Sequence, residues 1–166
     1  MIRGIDERGL ARGMRRSPHY VLTEEDIAAL KTEAVSIGIP IEILRFNAGD
    51  FTGYSDLRRL INVKGNIFPD LLYGERNPID TMTPRAVLAH EYYGHFQMHP
   101  SPYAVGSWED EFWAHRNAAL NAPNLTGAER ESLILAAEEH MRRGNLSFPK
   151  YKEMRRILDD ARASFY

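Results

Sequence analysis

Apolar and polar positions repeat with a helical period at the two ends of the chain and with a strand-like character between them. Thr23 followed by Glu24, Glu25 and Asp26 predicts a helix start, a capping residue ahead of acids in the first turn. Ile27, Leu30, Ala34 and Ile37 then follow at helical spacing, and Gly38 and Pro40 predict the stop. Ile41 to Phe46, Phe51 to Tyr54 and Arg59 to Val63 are short β-favouring runs. Turn residues, Asn47 to Asp50 above all, separate them. Ile67 to Leu72 reads as a further strand or an irregular stretch, and Tyr73 to Thr81 as loop.

Helical periodicity then returns for good. Thr83 with Pro84 predicts a helix to about Gln97. Ser107 and Asp110 open one to about Leu120, and Thr126 and Glu129 open one to Arg143. The last runs from about Lys150 to Ala163, with Tyr151, Met154, Ile157, Leu158 and Ala161 as its buried stripe. Strands are segregated from helices, which predicts an α+β fold with a small antiparallel sheet followed by a helix at Pro84 and three further helices.

The length of 166 residues, 43% of them hydrophobic and 27% charged, suits one domain over residues 23–166. Residues 1–22 read as an Arg-rich arm or linker carrying Arg3, Arg8, Arg12, Arg15 and Arg16. A net charge of -2 argues against nucleic acid or an anionic membrane as partner. No apolar run approaches the ~20 residues of a membrane span, and the start lacks a signal peptide's apolar region. A cytoplasmic setting is expected, delivery within a larger polypeptide or assembly being the alternative. Cysteine is absent, so any bound metal must be held by His, Asp or Glu.

That exclusion matters because four of the six histidines, His90, His95, His99 and His115, fall within one stretch. His90-Glu91-Tyr92-Tyr93-Gly94-His95 lies on the helix opened by Pro84. Two imidazoles and a carboxylate make a three-ligand zinc site with a position left for water, and a neighbouring Glu can take that water's proton. The spacing is unusual. Residues four apart are separated by about 40° around an ideal helix, residues five apart by about 140°. His90 and His95 share one metal only if the helix bulges in π geometry, which Gly94 makes easiest.

The motif resembles the HEXXGH signature of the dipeptidyl peptidase III metallopeptidases. That family takes its third zinc ligand from a downstream acid-Glu-x-Arg-Ala-acid motif, to which Asp110-Glu111-Phe112-Trp113-Ala114-His115 is similar. The resemblance implies His90, His95 and Glu111 as ligands of one zinc ion and Glu91 as the base. It spans only His90 to His115, Trp113 stands in place of the arginine and His115 in place of the acid. The whole chain looks more like small metallopeptidase domains of bacteria and their phages, which implies a minimal zincin-like fold.

Residue chemistry by itself also favours Glu111, which shares a helix face with His115 and Ala118, while Ala114 and Ala118 permit close approach to the motif helix. Asp110, Glu109 and His115 remain alternatives as third ligand, and His99 is either a ligand or a helix-end residue. His115 is expected to hydrogen-bond a ligand carboxylate, donate to an oxyanion or sit at the core edge. Tyr92, Tyr93 and Tyr103 are phenols close enough in sequence to serve the oxyanion, Tyr93 being the one carried forward. Trp108, Phe112 and Trp113 are expected to pack, with some lining a pocket; His19 and His140 read as surface. The expected activity is zinc-dependent hydrolysis of a peptide or protein substrate. The substrate would run along an edge strand at Arg59 to Val63 or Asn66 to Leu72. The alternatives are hydrolysis of a non-peptide amide and a catalytically inactive zincin-fold binding module within a larger phage or bacterial protein.

Overall fold

The computed structural model describes residues 17–69 and 77–165. The arginines of the N-terminal arm and the stretch 70–72, expected as strand or irregular chain, lie outside the described residues. Among those described, the fold is mixed α+β, with five helices around a three-stranded sheet. Helix α1 (Glu24–Ser36) opens with a complete capping box, Thr23 and Asp26 each accepting from the other's backbone N–H. It ends at Gly38, whose φ of 78° is the left-handed conformation that glycine tolerates. Ahead of it Leu22 is already in the core, tied down by Asn47, whose side chain accepts from Leu22 N (2.8 Å) and donates to Leu22 O (3.1 Å). The packed unit therefore begins before Thr23.

The sheet consists of β1 (Leu44–Phe46), β2 (Gly53–Ser55) and β3 (Leu60–Val63). Its order is β1-β3-β2, with β3 antiparallel to β2 but parallel to β1, so the sheet is mixed rather than antiparallel as expected. Burial sets the strand order. Ile61 and Val63 of β3 are fully enclosed, whereas β1 encloses only Leu44 and β2 no residue, so β3 takes the centre and pairs on both sides. This removes Arg59 to Val63 as an edge for substrate. The stretch Gly65–Ile67 is a 3-10 turn, and Ile41–Ile43, expected as strand, is another.

Four helices follow the sheet as predicted. They are α2 (Pro84–Ala89), continued directly by a π-helix (His90–Phe96), then α3 (Trp108–Asn121), α4 (Gly127–Arg143) and α5 (Phe148–Ala163). The core lies between α3 and α4, where Phe112, Ala118 and Ala119 meet Leu133, Ala137 and Met141. The alanines let the axes approach closely. Helix α5 starts two residues earlier than its periodicity implied because Ser147 caps it, accepting from Lys150 N, and Pro149 fits its first turn. Its Met154, Leu158 and Ala161 are buried; Tyr151 and Ile157 are only partly so. No helix among the described residues is long and apolar enough to cross a membrane.

Glu129 ties the start of α4 to the start of α2. Its carboxylate accepts from Thr83 Oγ1 (2.6 Å), from Arg85 Nη2 (2.6 Å) and from Thr126 N (3.1 Å), closing the second complete capping box as well. Burial alone would raise its pKa, but these bonds and the Arg85 charge overcome that and lower it to about 2. A carboxyl group depressed in the folded state stabilises above its unfolded pKa of 4.5 and loses that contribution as pH falls toward 2. Glu129→Gln is therefore expected to cost on the order of 2 kcal/mol at pH 7. In urea titrations the gap between wild type and variant should narrow at pH 2.5; an equal gap at both pH values rules this account out.

Candidate metal centre

The motif segment does not continue as α-helix. From His90 to Phe96 the backbone takes π geometry, and Gln97 N donates to Tyr92 O five residues back at 2.8 Å. This wider turn puts His90 and His95 side by side, ring centroids 4.6 Å apart, as the five-residue spacing required. The glycine serves a different purpose from the one expected. Gly94 is not in the left-handed region, so its backbone freedom is not what is used. A Cβ placed on Gly94 would instead lie 2.8 Å from the carbonyl carbon of Ala114, inside the backbone of α3. Gly94 is the space into which α3 fits.

That contact brings Glu111 to the histidines. Its Oε2 is 3.1 Å from His90 Nε2 and its Oε1 is 3.3 Å from His95 Nε2, so one carboxylate spans both rings with a different oxygen to each. The edge between ligand atoms in a tetrahedral site with bonds of 2.0–2.1 Å is roughly 3.3 Å. Both separations match it, and two imidazoles with one carboxylate are a donor set suited to zinc. Among the described residues, three groups offer ligand atoms within 4.8 Å of one another: His90, Glu91 and His95; His90, Glu111 and His115; His95, Asp110 and Glu111.

Behind these residues lies a supporting layer. Asp110 is buried, accepts from Gly106 N at 3.1 Å and stands 3.9 Å from His95 Nδ1. Its place in the first turn of α3, capped by Ser107, holds it there. His115 stacks on His90 with centroids 3.7 Å apart, and its Nδ1 is 2.7 Å from the Glu111 carbonyl oxygen. The Nε2 of His115 and the Nδ1 of His90 are buried without a hydrogen-bond partner. His140, read from sequence as surface, stacks in turn on His115 at 5.1 Å, and burial lowers its pKa to about 4.

Glu91 is buried beside the cluster. Its Oε2 accepts from Tyr54 N of β2 at 2.8 Å, leaving Oε1 3.6 Å from His90 Nε2. Nothing in the motif announced this strand contact, because the donor is a backbone amide 37 positions away. Glu91, His95, Asp110 and Glu111 line an open cleft of 510 Å³, in the range of ligand pockets. His90 and His115 lie behind its wall.

The remaining expected residues divide plainly. Tyr93 is not brought to the cluster; its hydroxyl donates to Ile37 O on the far side of the motif helix. Tyr92 stacks on Phe96, and Tyr103 lines the cleft. His115 is enclosed and outside the cleft, so it cannot reach an oxyanion there. His99 lines the cleft with Nδ1 3.3 Å from Asp56 Oδ1, away from the ligand set. Phe112 is core, Trp108 packs over Gly144, and Trp113 lines the cleft.

The electrostatics follow from this packing. Burial would lower the His95 pKa, but the hydrogen bond to Glu111 and the charges of Glu91, Glu111 and Asp110 prevail and raise it to about 9. Burial would raise Glu111, yet the charge of His90 and the bonds to both rings hold it well below the carboxylate range. His115 is held well below the usual imidazole value, by burial first and by His90 second.

Gly94→Ala tests the packing. The added methyl meets rigid backbone, so a loss of at least about 2 kcal/mol is expected in urea unfolding. A change under about 0.5 kcal/mol would show that α3 does not depend on this gap. Neither family models, nor curated proteins, nor solved structures match this chain.

Proposed function

We propose that the protein is a zinc-dependent peptidase in which His90, His95 and Glu111 hold one zinc ion and Glu91 is the general base. The observation that carries this reading is the setting of Glu91. It is enclosed, clamped through one oxygen by Tyr54 N, and turned through the other toward the ligand cluster at the wall of an open cleft. Zinc held by such a set supplies a Lewis acid and lowers the pKa of a bound water toward neutrality. With zinc held by His90, His95 and Glu111, Glu91 Oε1 would be placed to accept a proton from the attacking water, while Oε2 stays on the strand. The same carboxyl then returns the proton to the departing amine. Asp110 and the backbone bond of His115 act by positioning, orienting His95 and the Glu111 turn.

The zincin-like fold and the likeness to the dipeptidyl peptidase III motif belong to this proposal. What supports them is the arrangement itself: a strand edge beside the motif helix and a later helix supplying the acid. Strand β2, not the stretches expected from sequence, lies next to the cleft.

Metal analysis with Glu91→Gln is the direct test. The variant should keep zinc with affinity within about twofold, because an amide oxygen still accepts from Tyr54 N, while cleavage of a peptide library falls by about 10²–10⁴. A wild type that binds no zinc, or binds it and cleaves nothing, removes the basis of the proposal. Zinc affinity should also depend on pH. A raised His95 pKa means the ring holds its proton below about 9, and a metal must displace it. Competition against a chelator should show affinity rising roughly tenfold per pH unit between pH 6 and 8. A flat profile there excludes a protonated His95 in the metal-free site.

A further inference from the structure

One cation in the cleft has no anion. Arg116 lies on α3 five residues after Glu111, about 7.5 Å further along the helix axis, and lines the same cleft. Its Nη1 donates to Asn117 Oδ1 at 3.0 Å, and its Cζ stands 5.5 Å from the centroid of the Trp113 ring. Its Nε is buried and has no partner in the protein. No acidic side chain pairs with it among the described residues. Two other partly enclosed arginines contrast with it, while Arg130 is held by the carbonyls of Ala119 and Ala122. Arg85 is held by Glu129 at 2.6 Å and Arg162 by Glu131 at 2.8 Å, and both are shifted upward. Arg116 is shifted downward, by burial alone.

Desolvating a charge without a counter-ion is costly, and a guanidinium deprived of one is primed for an incoming anion. Asn117, itself buried, and Trp113 fix the plane of the group, so the cost of ordering it is already met. A planar fork of N–H donors matches a carboxylate. The acids sharing the cleft, Asp56, Glu91, Asp110 and Glu111, disfavour a dianion such as phosphate much more than a single carboxylate. We infer that Arg116 is the receptor for a carboxylate on the peptide substrate, either a free C-terminus or an Asp or Glu side chain. The identity of the ligand as a peptide rests on the peptidase reading; the need for an anion does not.

The test is binding to the zinc-loaded full chain carrying Glu91→Gln, followed by calorimetry and by the fluorescence of Trp113 beside the site. Three matched pools of N-acetylated octapeptides serve as probes. One is amidated with Gln at a scanned position, one amidated with Glu there, and one has Gln and a free C-terminus. At least one carboxylate pool should bind about tenfold tighter than the neutral pool. Arg116→Gln should abolish that advantage and Arg116→Lys should keep part of it, at unchanged neutral-pool affinity. The pool that gains identifies the source of the carboxylate.

The inference is overturned by equal binding of all pools or by no binding of any. It is also overturned by an advantage that survives Arg116→Gln, since that carboxylate is then held by zinc. If the glutamine variant does not fold, Arg116→Lys carries the comparison: an undiminished advantage counts against the inference, and a reduced one for it. An Arg116-dependent advantage in a protein that, with Glu91 restored, cleaves none of the pools ends the peptidase reading and leaves the carboxylate site standing.

Discussion

The approach of α3 to the π-helix at Gly94 and Ala114 is the constraint on which the site depends. Glu111 sits one turn before Ala114, so its reach to His90 and His95 is set by how closely the two backbones come together. A side chain at position 94 would hold α3 off and separate the carboxylate from both rings. The same contact seats Asp110 behind His95 and His115 against His90. Packing between two backbones thus determines where Asp110, Glu111 and His115 meet His90 and His95.

Those side chains are expensive to assemble. Enclosing Glu91, Glu111 and three imidazoles forfeits hydration, which costs several kcal/mol per ion when unpaired. The cluster offsets part of this by mutual charge: Glu111 stays ionised and His95 holds a proton to match it. The pairing remains incomplete, since His90 Nδ1 and His115 Nε2 have no partners. Such an arrangement adds nothing to the stability of a hydrophobic core of this size. Stability comes from elsewhere, from the alanine-lined contact of α3 with α4 and from the Glu129 lock between α4 and α2.

The local elements were readable because their signals are local. Thr23 with Asp26 and Thr126 with Glu129 form the capping boxes their spacing implied, and the five-residue gap between His90 and His95 demanded the π geometry that is present. The proximity of Glu111 to His90 and His95 was legible because acid position and alanine spacing lie on the same helix face. Apart from the 3-10 turn at Ile41–Ile43 and the earlier start of α5, the differences are long-range. The central place of β3 depends on which strand is most enclosed, and the short strands carry little information on direction or register. The Tyr54 amide that clamps Glu91 is a backbone group and leaves no mark in the side-chain sequence. Tyr93 was misplaced because a π turn changes which residues face the cluster, sending its hydroxyl to Ile37. His140 looked solvated in its polar neighbourhood, yet tertiary packing lays it on His115.

The clamp on Glu91 also shapes how a peptide can be held. Strand β2 is an edge, but it is three residues long, and Gly53 and Ser55 flank a residue whose N–H is already given to Glu91. Thr52 N, just before the strand, is taken by Asn66 Oδ1. Two amide donors near the cleft are thus committed within the protein, and a substrate strand has little backbone to pair with there. Under the peptidase proposal, recognition would fall to side chains of the cleft: Trp113, Tyr103 and Met98 for apolar contact, and Arg116 for charge. In the proposed enzyme, fixing the base by a strand amide and selecting the substrate by side chains would both follow from this one hydrogen bond.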